Sequence, residues 1–91
     1  MIVVSDTFCI SNLVTVGAAD LLPALFHRVF IPPAVLAELK RFHTELPAFL
    51  VTQPPSDTAR VARLRQEVDA GEAEAIALAL ELGADRLLVD E

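Results

Sequence analysis

Ile2-Val3-Val4-Ser5-Asp6-Thr7 is a continuous apolar run closed by an acid. Without polar alternation, Ile2-Val3-Val4 reads as a short strand buried on both faces, as in a parallel sheet. The pattern returns near the other end of the chain, in Arg86-Leu87-Leu88-Val89-Asp90. A third run, Val29-Phe30-Ile31, is stopped by Pro32-Pro33. Between Leu46 and Pro55, prolines flank Phe49-Leu50-Val51, a candidate third strand or extended edge.

Helical patterns lie between these runs. Ser11 to Leu25 reads as a helix in two pieces, the first with Leu13, Val14 and Val16, the second with Leu21, Leu22, Leu25 and Phe26, broken at Gly17. Pro33 suits a first helical turn, and the helix it opens runs to about Phe42. Ser56 or Asp57 is placed to cap a helix reaching about Ala70, with Gly71 as its C′ residue. Glu72 to Leu82 is a further, strongly apolar helix that Gly83 ends. The expected order is β-αα-β-α-β-αα-β: one α/β domain over residues 1–91, a parallel sheet of about four strands flanked by helices. The crossover rule then puts all strand carboxyl ends on one side. The chain stops directly after its last strand, at Asp90-Glu91. A strand end carrying a candidate site residue is a poor terminus, so a fragment lacking at least a helix and one more strand is expected.

Composition narrows the function classes. In 91 residues, 54% are hydrophobic and 22% charged, as in a folded globular chain rather than a disordered one. The single cysteine, Cys9, excludes an internal disulfide and fits a reducing compartment. One Cys and two His exclude a zinc framework. No apolar run reaches the ~18 residues of a membrane span, and Met1 to Asp6 does not resemble a signal peptide. The expectation is a cytoplasmic protein. The net charge of −6 disfavours a generic nucleic-acid coat, yet it is compatible with a nuclease whose carboxylates gather around a metal. Arg60, Arg63 and Arg65 form the densest basic stretch. The three glycines stand singly, which removes the phosphate-loop and dinucleotide readings.

The acids carry the chemistry. In an open parallel α/β sheet, ligands bind beyond the strand carboxyl ends. Asp6 and Asp90 both sit there, and Glu38 and Glu72 lie on helices between them. Such a set suggests a site for Mg²⁺ or Mn²⁺ and a phosphate. Each acid has an alternative role. Asp6 is also placed to cap the following helix, with Thr7 supporting its carboxylate or capping in its stead. Asp90 is also a loop acid past a strand end. Glu72 also stabilises a helix N-terminus. Glu38 also reads as an exposed acid paired with Lys40 or Arg41. Glu74, two residues from Glu72, points about 200° away on a helix, so Glu72 is expected to face the sheet and Glu74 the solvent. Asn12, at the start of the first helix, suits hydrogen bonding to a carboxylate or phosphate, or a cap. Cys9 reads as a small buried thiol, and His27 and His43 as surface or boundary residues.

Four blocks together resemble the PIN-domain family, and within it the small prokaryotic VapC-like branch. They are Val3-Val4-Ser5-Asp6-Thr7 with Ile10-Ser11-Asn12-Leu13; Ile31-Pro32-Pro33-Ala34-Val35-Leu36-Ala37-Glu38-Leu39; Asp69-Ala70-Gly71-Glu72-Ala73-Glu74-Ala75-Ile76-Ala77-Leu78-Ala79; and Leu87-Leu88-Val89-Asp90-Glu91. The resemblance implies a metal-dependent ribonuclease, often the toxin of a toxin–antitoxin pair. By motif, the family's acids fall on Asp6, Glu38, Glu72 and Asp90, with Glu74 a near alternative for the third. Thr7 falls on the supporting hydroxyl residue and Asn12 on the polar residue of the first helix. Many relatives carry Ser-Pro where Phe8-Cys9 stand here, and the resemblance leads to the expectation that the family's last helix and strand are missing.

The resulting expectation is an endoribonuclease, probed in its full-length form, that uses Mg²⁺ or Mn²⁺ and leaves 3′-hydroxyl and 5′-phosphate ends. Its partners would be an RNA substrate, a cognate antitoxin and, as in the family, a second copy of itself. A rival expectation is a non-catalytic acidic α/β module that binds a partner protein, inactive through truncation. A phosphotransfer domain with Asp6 as acceptor is disfavoured, because no second Asp adjoins Asp6 and no matching Lys follows a late strand.

Overall fold

The computed structural model describes residues 2–18 and 28–89. Four strands, β1 (Val3–Ser5), β2 (Val29–Ile31), β3 (Leu50–Thr52) and β4 (Arg86–Leu88), form one sheet in the order β3-β2-β1-β4. All pairings are parallel, with Val3 opposite Val29 and Arg86, and Phe30 opposite Val51. The helices are α1 (Thr7–Thr15), α2 (Pro33–Phe42), α3 (Thr58–Leu64) and α4 (Ala70–Leu82). This is the expected parallel α/β architecture. The expected helical piece around Leu21 to Phe26, with His27, and Asp90 beyond β4 lie outside the described residues.

Alternation along β1 explains the layers. Val3 faces one side with Val29 and Ile31, where Ile10 of α1 and Val35 and Leu39 of α2 pack. Val4 faces the other side, against Ala75 and Leu78 of α4 with Phe30 and Leu87 alongside. Both valines are fully buried, as an unbroken apolar run requires. Burial of a Leu or Ile side chain is worth ~1.5–3 kcal/mol, so a few such contacts hold each helix to the sheet.

Three boundaries differ from the sequence reading. Helix α1 begins at Thr7, not Ser11, because Asp6 is its N-cap: the Asp6 backbone is extended and its Oδ1 accepts from Cys9 N at 2.9 Å. Asn12 therefore lies in the second half of α1 rather than at its start. Helix α3 stops at Leu64 instead of reaching Ala70. Past Leu64 the backbone bonds tighten to i→i+3 turns, Gln66 N to Arg63 O at 3.2 Å and Glu67 N to Leu64 O at 3.0 Å, and the extended Asp69 then starts the next helix, its Oδ1 accepting from Glu72 N at 2.9 Å. Gly71 is consequently inside the first turn of α4, not a helix terminator. Gly17 at φ 73° and Gly83 at φ 60° do occupy the left-handed region at helix ends.

The topology fixes where a ligand can sit. From β1 the chain adds β2 and β3 on one side, then crosses to place β4 on the other. The order reverses between β1 and β4, and the crevice beyond their carboxyl ends is the switch point. Asp6 N donates to Leu88 O at 3.0 Å, which carries the β1–β4 ladder to the rim of that crevice. Among the described residues no helix is long and apolar enough to cross a membrane.

Candidate functional site

A small cavity of about 70 Å³ opens at this rim, lined by Asp6, Thr7, Phe8, Glu38, Asp69 and Glu72. These residues arrive from three pieces of the fold. Asp6 and Thr7 follow β1 directly and are 7% and 4% exposed. Asp6 spends one carboxylate oxygen on the α1 cap, so the capping and cavity roles coexist in one side chain. Glu38 comes from α2, one turn past Val35 and beside Leu39, which pin that face to the core. Asp69 and Glu72 come from the N-terminus of α4.

Two details shape the cavity. Gly71 lies against Glu38: a Cβ there would fall 2.8 Å from Glu38 Oε1 and 3.6 Å from Thr7 Oγ1. Absence of a side chain at 71 is what lets α4 and the Glu38 carboxylate share this space. The Thr7 hydroxyl is buried with no hydrogen-bond partner among the described residues. A buried unsatisfied hydroxyl is costly, so its persistence at a lined cavity calls for a functional explanation.

The expected site residues separate cleanly. Asp6, Thr7, Glu38 and Glu72 come together at the cavity, whereas Asn12 is exposed on α1 outside its lining. Asp90 is outside the described residues. Glu74 does not face solvent as expected: it is half-buried, and its Oε1 accepts from Ala34 N at 3.2 Å, serving the first turn of α2. Pro32, the α2 N-cap, has no side-chain acceptor to offer, and Glu74 supplies one from across the interface. Glu72 and Glu74 thus take different tasks because they project from α4 in different directions. Cys9 is half-buried. His43 Nε2 lies 2.9 Å from Ser11 Oγ, bridging the end of α2 to α1.

Sequence reading missed Asp69 as a cavity residue. The signal was present: Asp69-Ala70-Gly71-Glu72 has the spacing of a capping box, an N-cap acid followed three residues later by Glu. The part played by Gly71 had no local signal, since it depends on Glu38 from another helix.

A protein-family model described as a PIN domain matches residues 2–91. The chain belongs to the PIN-domain family. No curated protein and no solved structure matches it. PIN domains are a nuclease fold and are in general dependent on divalent metal. In this PIN domain the donors around the cavity are carboxylates and a hydroxyl, the hard oxygen set that suits Mg²⁺ or Mn²⁺. Among the described residues no three such side chains converge closely enough to hold an ion by themselves. Mg²⁺ commonly keeps several waters and takes one or two carboxylates directly, so the donor chemistry fits a hydrated cation better than a stripped one.

Proposed function

We propose that this PIN domain is a metal-dependent endoribonuclease that hydrolyses RNA phosphodiester bonds in the cytoplasm, as the toxin of a toxin–antitoxin pair. The observation that carries the proposal is the acid-lined cavity at the β1–β4 switch point, with the buried Thr7 hydroxyl, unpartnered among the described residues, in its wall. Asp6, Glu38, Glu72 and, past β4, Asp90 are the residues proposed to hold Mg²⁺ or Mn²⁺, directly or through water. When bound, the cation supplies Lewis acidity toward the phosphate and a water of lowered pKa. The chain's own contribution is placement. Asp6 is fixed by its cap to Cys9 N and Asp69 by its cap to Glu72 N, while Gly71 leaves room for the Glu38 carboxylate. Such anchoring holds the two capping carboxylates in one arrangement before substrate arrives.

A second reading, a module that binds a partner protein, has one observation in its favour. A groove of about 410 Å³ between α3 and α4 is lined by Arg60, Arg63, Leu64, Glu67 and the exposed Leu80. An antitoxin or a second copy of the chain is the proposed occupant class under that reading.

Substitution separates the two. Asp6→Asn keeps an N-cap oxygen, since Asn caps as well as Asp. It should fold normally yet lose RNA cleavage in Mn²⁺ by roughly 100-fold or more. Glu72→Gln should behave likewise. Glu74→Gln retains an acceptor for Ala34 N and should cleave as wild type. Intact cleavage in Asp6→Asn would sink the assignment of the acid cavity as the nuclease site, and metal-independent binding of a partner with no cleavage by the wild type would favour the second reading.

A further inference from the structure

Phe8 is the one large apolar residue of the cavity lining, and it is 57% exposed. It sits in the first turn of α1, two residues after Asp6, so its ring stands at the lip of the acid pocket. Neither hydrophobic cluster of the core includes it. Single exposed hydrophobics are common, and Val16, Phe42 and Leu80 are exposed as well; what sets Phe8 apart is its place in the cavity lining beside the buried Asp6. The chain has no Trp or Tyr and only five Phe, so Phe8 is its aromatic surface at this site.

We propose that Phe8 is a stacking platform for one unpaired nucleobase of the RNA, next to the phosphate held over the acid cavity. This rests on the nuclease reading above and deepens it by naming the residue of this chain that would hold the base. The physical case has two parts. The buried Thr7 hydroxyl, without a partner among the described residues, points independently to a polar group of a ligand in the cavity. A nucleotide whose phosphate occupies that cavity carries its base one sugar away, at the lip where the exposed ring lies. Every base has a π-face, so stacking binds unpaired bases of any sequence, whereas a base inside a duplex is already stacked on its neighbours and is not offered to the ring. Stacking also provides attraction that the acidic chain, with a net charge of −6, does not provide electrostatically.

The absence of tryptophan gives a direct test. In Phe8→Trp the indole is the only one in the protein. Its fluorescence is followed, with Mg²⁺ present, against hexamers of adenylate and uridylate, the same hexamers carrying abasic residues, and a duplex. Saturable quenching by the single strands is expected, weaker for abasic strands and absent for the duplex. In filter binding, Phe8→Ala should weaken single-strand affinity about 5- to 100-fold while Phe8→Tyr keeps it. Phe8 is exposed, so these variants retain the fold, which circular dichroism checks. Val16→Trp, at the other end of α1 and 72% exposed, is the control expected to show no quenching.

Equal quenching at position 16, unchanged affinity of Phe8→Ala, or equal response to abasic strands overturns the proposal. A change in Phe8→Trp emission that follows protein concentration without RNA assigns the ring to a protein contact and overturns it too. The two readings fail separately. Stacking without cleavage by the wild-type chain removes the nuclease reading alone. Cleavage that needs Asp6 but ignores Phe8 removes the stacking platform alone.

Discussion

At the scale of single residues, the site is held by groups that fold stability alone does not explain. Thr7 Oγ1 is buried and unpartnered among the described residues, and such a group costs ~1–3 kcal/mol. Thr7→Val replaces the hydroxyl by a methyl of similar shape. Its expected outcome in metal-free buffer is unchanged or higher stability, by about 1 kcal/mol, with loss of much of the response to Mn²⁺. Chemical denaturation with and without metal measures both. Destabilisation without metal would show that the hydroxyl serves the fold. Gly71→Ala tests the opposite kind of residue. The new Cβ meets Glu38 Oε1 at 2.8 Å, and a carboxylate at the end of a flexible side chain can move aside. Stability should change by less than about 1 kcal/mol, because Ala is the better helix former, while cleavage falls because Glu38 is displaced. Asp6 was legible from sequence as an acid after a buried strand. Its two roles were not, since the choice between cap and site dissolves only when one oxygen is seen to cap and the residue also lines the cavity. Gly71 was misread as a helix terminator because its neighbour Glu38 is far away in sequence.

At the scale of elements, capping geometry decided what hydrophobic periodicity left open. Val61, Leu64 and Val68 share one helical face in sequence, which suggested a single helix to Ala70. That path gives way after Leu64 to i→i+3 turns, and the extended Asp69 starts α4 as its N-cap. All four strands and α2 fall within a residue of their expected bounds, because short apolar runs mark the strands and the prolines at 32 and 33 mark the start of α2. Helix α4 is tied to the segment before α3 by Glu81, whose two carboxylate oxygens accept from Ser56 N at 2.9 Å and Asp57 N at 2.6 Å. Those backbone amides, Ser56 first and Asp57 second, hold the Glu81 carboxyl below its ordinary value of 4.5. The sign follows. A carboxyl with a depressed folded-state pKa contributes stability above its ordinary value, and the contribution is lost as pH falls through the folded one. The wild type should therefore lose stability on acidification from about pH 5 downward, and Glu81→Gln should lose less over that interval. Because Glu81 is solvent-exposed, the difference is small. Urea midpoints at pH 6 and pH 3.5 measure it, and parallel losses in both proteins would show that the fork carries no pH-dependent stability.

At the scale of the molecule, charge and topology meet at one place. The chain carries a net charge of −6, and its fold sets Asp6, Glu38, Asp69 and Glu72 around a single cavity at the sheet's switch point. The parallel sheet itself was legible, because uninterrupted apolar runs alternating with helices leave few other arrangements. The convergence of the acids was legible only as an edge, since strand ends define a side of the sheet but not which helix turn faces it. A cation held among these acids would bind the folded chain and not the unfolded one, so ligand binding and stability are linked. A cation that binds only the folded chain adds RT ln(1 + [L]/Kd), about 2.7 kcal/mol at a hundredfold excess over Kd. For a domain of this size that corresponds to a rise in Tm of roughly 10 °C or more. Generic screening offers a competing explanation, because any salt relieves self-repulsion in an acidic protein. The deciding comparison is MnCl₂ against NaCl at equal ionic strength, on the wild type and on Asp6→Asn. A site predicts a large rise with Mn²⁺, a small one with NaCl, and loss of most of the difference in the variant. Equal rises with both salts, or an undiminished Mn²⁺ effect in Asp6→Asn, would mean that the acids feel the cation as a diffuse atmosphere, and the cavity would lose its claim to be a metal centre.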